Sequence, residues 1–200
     1  MAEVKQMSLS QYIALKSDHA VAQAFWIVTF ALLTAIGAQI EIPHQPVPYT
    51  LQTFFVILAG GVLGWRNGLL SMSLYVGMGA LGMPVFSGGG FGLVRLLGPS
   101  GGYLLSFPVA AALVGGVLAL RPRVISETGG MLRRFIADYG WILLAMSSGL
   151  VLVFLAGTVQ LYAVLFHNWS SAFESGFLIF SGWDLLKLGA AVAICRELRR

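Results

Sequence analysis

Asp184 and Lys187 are the residues best placed to do chemistry, because the run Phe177–Cys195 carries no other charge. Three residues apart on a helix, they lie within about 60° of each other on one face. Each ion costs roughly 2.5–3.5 kcal/mol at the centre of a membrane span. A pair there has two readings. The ions can neutralise each other and pin helix packing. Alternatively, Lys187 offers a cation to an anionic ligand, while Asp184 accepts from N–H or O–H donors. On one continuous helix, Phe173, Phe177, Phe180 and Ala191 would share that face and give the site an aromatic wall.

A second group lies in the glycine-rich stretch Gly82-Met83-Pro84-Val85-Phe86-Ser87-Gly88-Gly89-Gly90-Phe91-Gly92, followed by Gly98-Pro99-Ser100-Gly101-Gly102-Tyr103. Glycine permits positive φ and close backbone approach. Irregular backbone at membrane depth survives only where it is buried or lines a cavity. Phe86, Phe91 and Tyr103 make the stretch more apolar than an external loop, so it is expected to cover a pocket. Phe86, Ser87, Gly88, Gly89 and Tyr103 are the candidate contacts. It is not a phosphate cradle: no G-x-x-x-x-G-K-[ST] occurs, and Gly90-x-Gly92-x-x-Arg95 breaks the dinucleotide pattern at its third glycine. ATP hydrolysis by the P-loop route is excluded. No nucleophile–base–orienter set suggests an enzyme.

Single polar residues complete the inventory. Pro46-Val47-Pro48-Tyr49-Thr50-Leu51-Gln52-Thr53 opens a helix whose N-terminus is free for polar ligand groups. Gln52 can serve a ligand or an interhelical hydrogen bond. Tyr75 can serve packing or a ligand, and Arg95 a carboxylate or a lipid headgroup. His44 and His167 have no partner at metal-ligand spacing, so no metal or cofactor is expected.

The elements that must position these residues are membrane spans. The chain of 200 residues is 58% apolar and 10% charged, with a mean hydropathy of +0.84; a soluble surface needs far more charge. Cys195, the one cysteine, cannot bridge internally. Apolar runs predict an all-α protein with six transmembrane helices, at roughly 22–41, 50–65, 68–83, 103–121, 138–166 and 174–195. The second and third form a hairpin about Trp65-Arg66-Asn67-Gly68, since an arginine at mid-bilayer would be costly. Residues 1–21 are expected to be an amphipathic segment on the inner surface, with 22–200 as the membrane domain.

Lys5, Lys16, Arg66, Arg121, Arg123, Arg133, Arg134, Arg196, Arg199 and Arg200 then share one face, against Arg95 alone on the other. The positive-inside rule makes that face, with both termini, cytoplasmic. These cations meet anionic headgroups and explain the basic balance without nucleic acid. Trp65, Trp141 and Trp169 fit an aromatic belt. Gly60, Gly64 and Gly68, and the pair Ala31 and Ala35, are small-xxx-small steps that let helices approach closely. Such steps serve internal packing or a partner interface.

PVPYTLQT, LAGGVLGWRNG, YVGMGALGMPVFSGGG, GPSGGYLLSFPVAA and the late DLLK, in this order, resemble the BioY family. These are biotin-binding S components of energy-coupling factor (ECF) transporters. The likeness covers residues 24–120 closely and 176–195 well, and 122–173 carries little of it. It implies the six-helix ECF S-component fold, an outer-face pocket closed by loops, no catalysis, and residence in the bacterial inner membrane. It also implies biotin uptake with a transmembrane T subunit and two ATPase subunits. Ala31 and Ala35 match the family's A-x-x-x-A contact to the T subunit. Asp184 and Lys187 match its helix-six pair, the acid expected on the ureido group and the amine on the valerate carboxylate. Some members carry Asn in the loop glycine run and Arg directly after GGY, where this chain has Gly90 and Leu104. Arg95 or loop N–H groups are then expected to substitute, or the pocket takes a different small anionic vitamin.

Overall fold

The computed structural model describes residues 20–120, 131–178 and 182–199, with the side chains of 131–138 left aside. The amphipathic segment expected over 1–21 thus falls, but for its last two residues, outside the described residues. So do Phe180 and the side chains of Lys5, Lys16, Arg121, Arg123, Arg133, Arg134 and Arg200.

Helix α1 is Ala20–Gln39, 20 residues without a charge. Strands β1 (Glu41–Ile42) and β2 (Tyr49–Thr50) follow as an antiparallel pair in the register Glu41↔Thr50, Ile42↔Tyr49. The bent helix α2 is Gln52–Ala80, and Gly64 breaks it at φ 80, ψ 178. Only glycine adopts that conformation readily. A Cβ built on Gly68 would lie 3.1 Å from the Cα of Gly60, whereas eight residues of unbroken helix span about 12 Å. The chain therefore reverses at Gly64, beside the expected Trp65–Gly68 turn. Ala111, 3.4 Å from the same position, packs into the seam. The Gly61 carbonyl, next to the break, accepts from Arg199 Nη1 at 2.8 Å, a cation capping a helix C-terminus.

A turn at Ser87–Gly89 leads to the short helix α3 (Gly92–Leu97) and then α4 (Gly101–Ala119). Helix α5 runs Met131–Leu161 and widens into a π-turn at Tyr162–Phe166. Helix α6 (Trp169–Gly176) is capped by Asn168, whose side chain accepts from the N–H groups of Ser170 and Ser171. Helix α7 is Gly182–Arg199. Among the described residues, four helical stretches are long and apolar enough to cross a membrane: Ala20–Gln39, Gln52–Ala80, Gly101–Ala119 and Tyr139–Phe166.

One expectation changes. The single helix expected over 174–195 is two, α6 and α7, so Phe173 and Phe177 do not continue the Asp184 face. They stack on each other at 5.0 Å, and Phe177 meets the edge of Phe154 on α5. Their spacing fits one helix, but tertiary packing turns them toward α5. The small-residue step at Ala31 and Ala35 lies against the bundle. Ala31 is 0% exposed and belongs to the central core, with Ala35 partly buried against it. This small-residue step packs α1 into its own bundle. The exposed stripe of α1 runs instead through Phe25, Val28, Leu32 and Ile36.

Candidate binding site

The helices α2, α4 and α7 all begin at the end of the bundle that carries the β-hairpin and the Ser87–Gly89 turn. A pocket opens between these starts. Its polar lining is Thr50, Gln52, Thr53, Ser87, Ser100, Tyr103, Asp184 and Lys187, and its apolar lining includes Val47, Pro48, Leu104, Phe107 and Phe154. Three helix N-termini at one cavity favour negative charge there. Asp184 sits in the first turn of α7, where a carboxylate is stabilised.

The ion pair is the centre of the site. Lys187 Nζ lies 2.6 Å from Asp184 Oδ1, and both side chains are almost wholly buried. The ammonium also donates to the Thr50 carbonyl at 3.0 Å and to Thr53 Oγ1 at 2.9 Å. An ammonium has three donors, and all three find partners within the chain. A carboxylate brought to this ammonium would have to take the place of one; the Thr53 hydroxyl, which can rotate and become a donor, is the replaceable one. Tyr49 borders the same space. Burial, and secondarily the Asp184 carboxylate, raise its phenol above the usual tyrosine range, so it stays a neutral O–H group.

Hydrogen bonds continue from this pair to the Ser87–Gly89 turn. Thr50 Oγ1 donates to Gln52 Oε1 at 2.8 Å, and Gln52 Nε2 donates to Tyr75 Oη. Tyr75 Oη then donates to the Val85 carbonyl at 3.1 Å. The Phe86 ring, 1% exposed, lies edge-on to Tyr75 with centroids 5.6 Å apart and fills the space over Gly79 that a Cβ would need.

Of the residues expected to contact ligand, Gln52, Ser87, Tyr103, Asp184 and Lys187 line the pocket, and Tyr75, Phe86, Gly88, Gly89 and Arg95 do not. Tyr75 is 0% exposed, with its hydroxyl engaged on both sides, so it is a pillar under the turn. Phe86 is the plug anchoring that turn. Arg95 Nη2 donates to the Ser87 carbonyl at 3.2 Å, and its guanidinium lies where a side chain on Gly90 would have to go, Cζ being 3.1 Å from an ideal Cβ. Gly90 and Arg95 are thus one feature: the glycine makes room for the arginine. Thr50, Thr53, Tyr49, Leu104 and Phe154 were missed as lining. The signal for the threonines was available, since a buried ammonium needs acceptors and PVPYTLQT offers two hydroxyls.

A family model described as "BioY family" matches residues 7–200. The chain belongs to the BioY family. It is 39% identical over 173 residues to the probable biotin transporter BioY of Pyrococcus horikoshii, covering 86% of this chain and 93% of that one. The biotin transporter BioY of Thermotoga maritima is 36% identical over 171 residues, covering 86% and 92%. The crystal structure of the S-component for biotin from an ECF-type ABC transporter superposes with a TM-score of 0.75. It shares 26% identity and covers 90% of this chain and 92% of its own. The fold of this BioY-family chain is therefore that of an ECF S component, and it makes the chain a membrane protein.

Proposed function

We propose that the chain is the biotin-binding S component of an ECF-type vitamin uptake transporter. It takes biotin at the outer face, beneath the glycine-rich turn, and delivers it inward with a transmembrane T subunit and two ATPase subunits. The observation that carries this reading is the buried Asp184–Lys187 pair at the wall of a mixed polar and apolar pocket. Biotin has a polar ureido head, an apolar ring and chain, and one carboxylate. The Asp184–Lys187 pair, its charged atoms 2.6 Å apart, meets one polar end of biotin with Thr53 beside it, and Leu104, Phe107 and Phe154 face the apolar part. Six transmembrane helices, counting the two arms of α2 and α7, put both termini on the cytoplasmic side of the bacterial inner membrane, with residues 1–21 along its surface. The exposed stripe of α1 that includes Leu32 and Ile36, adjoining half-buried Ala35, faces the T subunit.

Leu104 favours one alternative. Where some family members place an arginine after GGY, this chain presents an apolar side chain to the pocket, which fits a different small anionic vitamin. Calorimetric titration of the purified, detergent-solubilised subunit decides between the two. Saturable biotin binding, not displaced by other anionic vitamins, is expected. A folded protein that ignores biotin and binds another vitamin would overturn the biotin assignment.

A further inference from the structure

The tip of the outer turn has no side chains with which to hold itself. Gly88 and Gly89 sit at φ 62 and φ 68, in the left-handed region that glycine tolerates. Its root is fixed from below by Tyr75 on the Val85 carbonyl and by the Phe86 ring over Gly79. Within the turn, the Phe86 N–H donates to the Gly90 carbonyl at 3.0 Å, and the Gly90 N–H to the Ser87 carbonyl at 3.1 Å. The tip itself is reached from the end of α1. Gln39 Nε2 donates to the Phe86 carbonyl at 3.0 Å, and Gln39 Oε1 accepts from the Gly89 N–H at 3.2 Å. One planar amide thereby spans the turn from both sides of Ser87, the turn residue that lines the pocket.

We infer that Gln39 is the latch of this turn, a positioning residue that holds Ser87 over the pocket and sets how fast ligand leaves. The chemistry singles out an amide. It needs a donor for a carbonyl and an acceptor for an N–H at once, which neither a carboxylate nor an ammonium offers. Gln39 is exposed at the end of its helix, so replacing it removes the latch without opening the core. Arg95 on the Ser87 carbonyl is a second strut, which limits how far the turn moves when the latch is gone. The inference rests on the proposed binding of biotin, but its first test does not.

That first test is amide hydrogen exchange of the ligand-free protein, comparing wild type with Gln39→Ala and Gln39→Leu. Both variants should speed exchange across 86–90, most of all at Gly89, while leaving the melting temperature unchanged. The second is biotin release and association. Two hydrogen bonds of ordinary strength predict release faster by about tenfold, with association within about twofold. Unchanged exchange refutes the latch. So does faster exchange with unchanged release, because the turn would then not retain ligand. A melting temperature that falls with both substitutions also refutes it, by making Gln39 a general packing residue. Wild-type protein that fails to bind biotin refutes the proposed function, and the exchange result still decides whether the turn is latched.

Discussion

Removing the two members of the buried ion pair singly and together separates a binding site from a structural bridge. Lys187→Met keeps the stem and deletes the ammonium, leaving the Asp184 carboxylate, 2% exposed, without the cation 2.6 Å away. Breaking a buried pair on one side costs about 3–5 kcal/mol, and each kcal/mol moves the melting temperature by about 2–4 °C in a chain of this size. Asp184→Asn should cost a similar amount, since it leaves the ammonium among neutral oxygens only. The double variant has no buried charge left at this site and should recover most of the loss. Biotin affinity should not recover. Each lost charge-assisted contact is worth about 1.5–3 kcal/mol, or roughly 10–150-fold in Kd, and the double variant lacks both. Thermal unfolding of ligand-free protein in detergent gives the first quantity, and calorimetric titration with biotin gives the second. A double variant that regained binding together with stability would refute the reasoning, because the pair would then serve only to hold α7 against α2.

Gly64→Ala should destabilise by about 1–3 kcal/mol, because φ 80 with ψ 178 is nearly closed to an L side chain; chemical denaturation of the variant checks this. Tyr103→Phe removes the hydroxyl that donates to the Gly176 carbonyl at 2.9 Å. A buried acceptor left without its donor costs about 1–3 kcal/mol, readable as a lower melting temperature. Arg95→Ala should weaken biotin and an uncharged biotin amide equally, since the guanidinium braces the Ser87 carbonyl outside the pocket lining. A loss confined to the acid would put the guanidinium on the ligand carboxylate.

The sequence made the spans legible because a bilayer demands long uncharged runs, and the reversal near Trp65 legible because an arginine must avoid the bilayer centre. The ion pair stood out for the same reason. Two-residue strands were not legible, being too short for any alternation to register. The division of 174–195 into α6 and α7 was hidden by continuous hydrophobicity, and Phe173 and Phe177 kept helical spacing to Asp184 across it. The Ala31 step shows a different limit. Small-xxx-small spacing says that something approaches closely, and burial alone says that the something is this chain's own core. Tyr75 and Phe86 were expected at the ligand, and the structure places them beneath the turn, outside the pocket lining. Residue type cannot separate the wall of a cavity from the layer that supports it.

That supporting layer explains why so much of the site is polar yet none of it is wasted. At membrane depth every donor and acceptor must find a partner inside the protein. The partners here run in series: Asp184 to Lys187, Lys187 to the Thr50 carbonyl, Thr50 to Gln52, Gln52 to Tyr75, and Tyr75 to the Val85 carbonyl. One residue further on, Gln39 takes the Phe86 carbonyl and the Gly89 N–H. The same bonds that satisfy buried groups therefore join the charged end of the pocket to the turn that covers it. A ligand carboxylate that displaces Thr53 from Lys187 leaves the bond to the Thr50 carbonyl in place, and with it the whole line to Val85. One that displaced the Thr50 carbonyl would loosen the root of the turn while binding beneath it. Retention of ligand thus favours exchange at Thr53, so Thr53→Val should cost affinity by removing the hydroxyl that turns to donate to the bound carboxylate, whereas the turn should keep its protection from amide exchange.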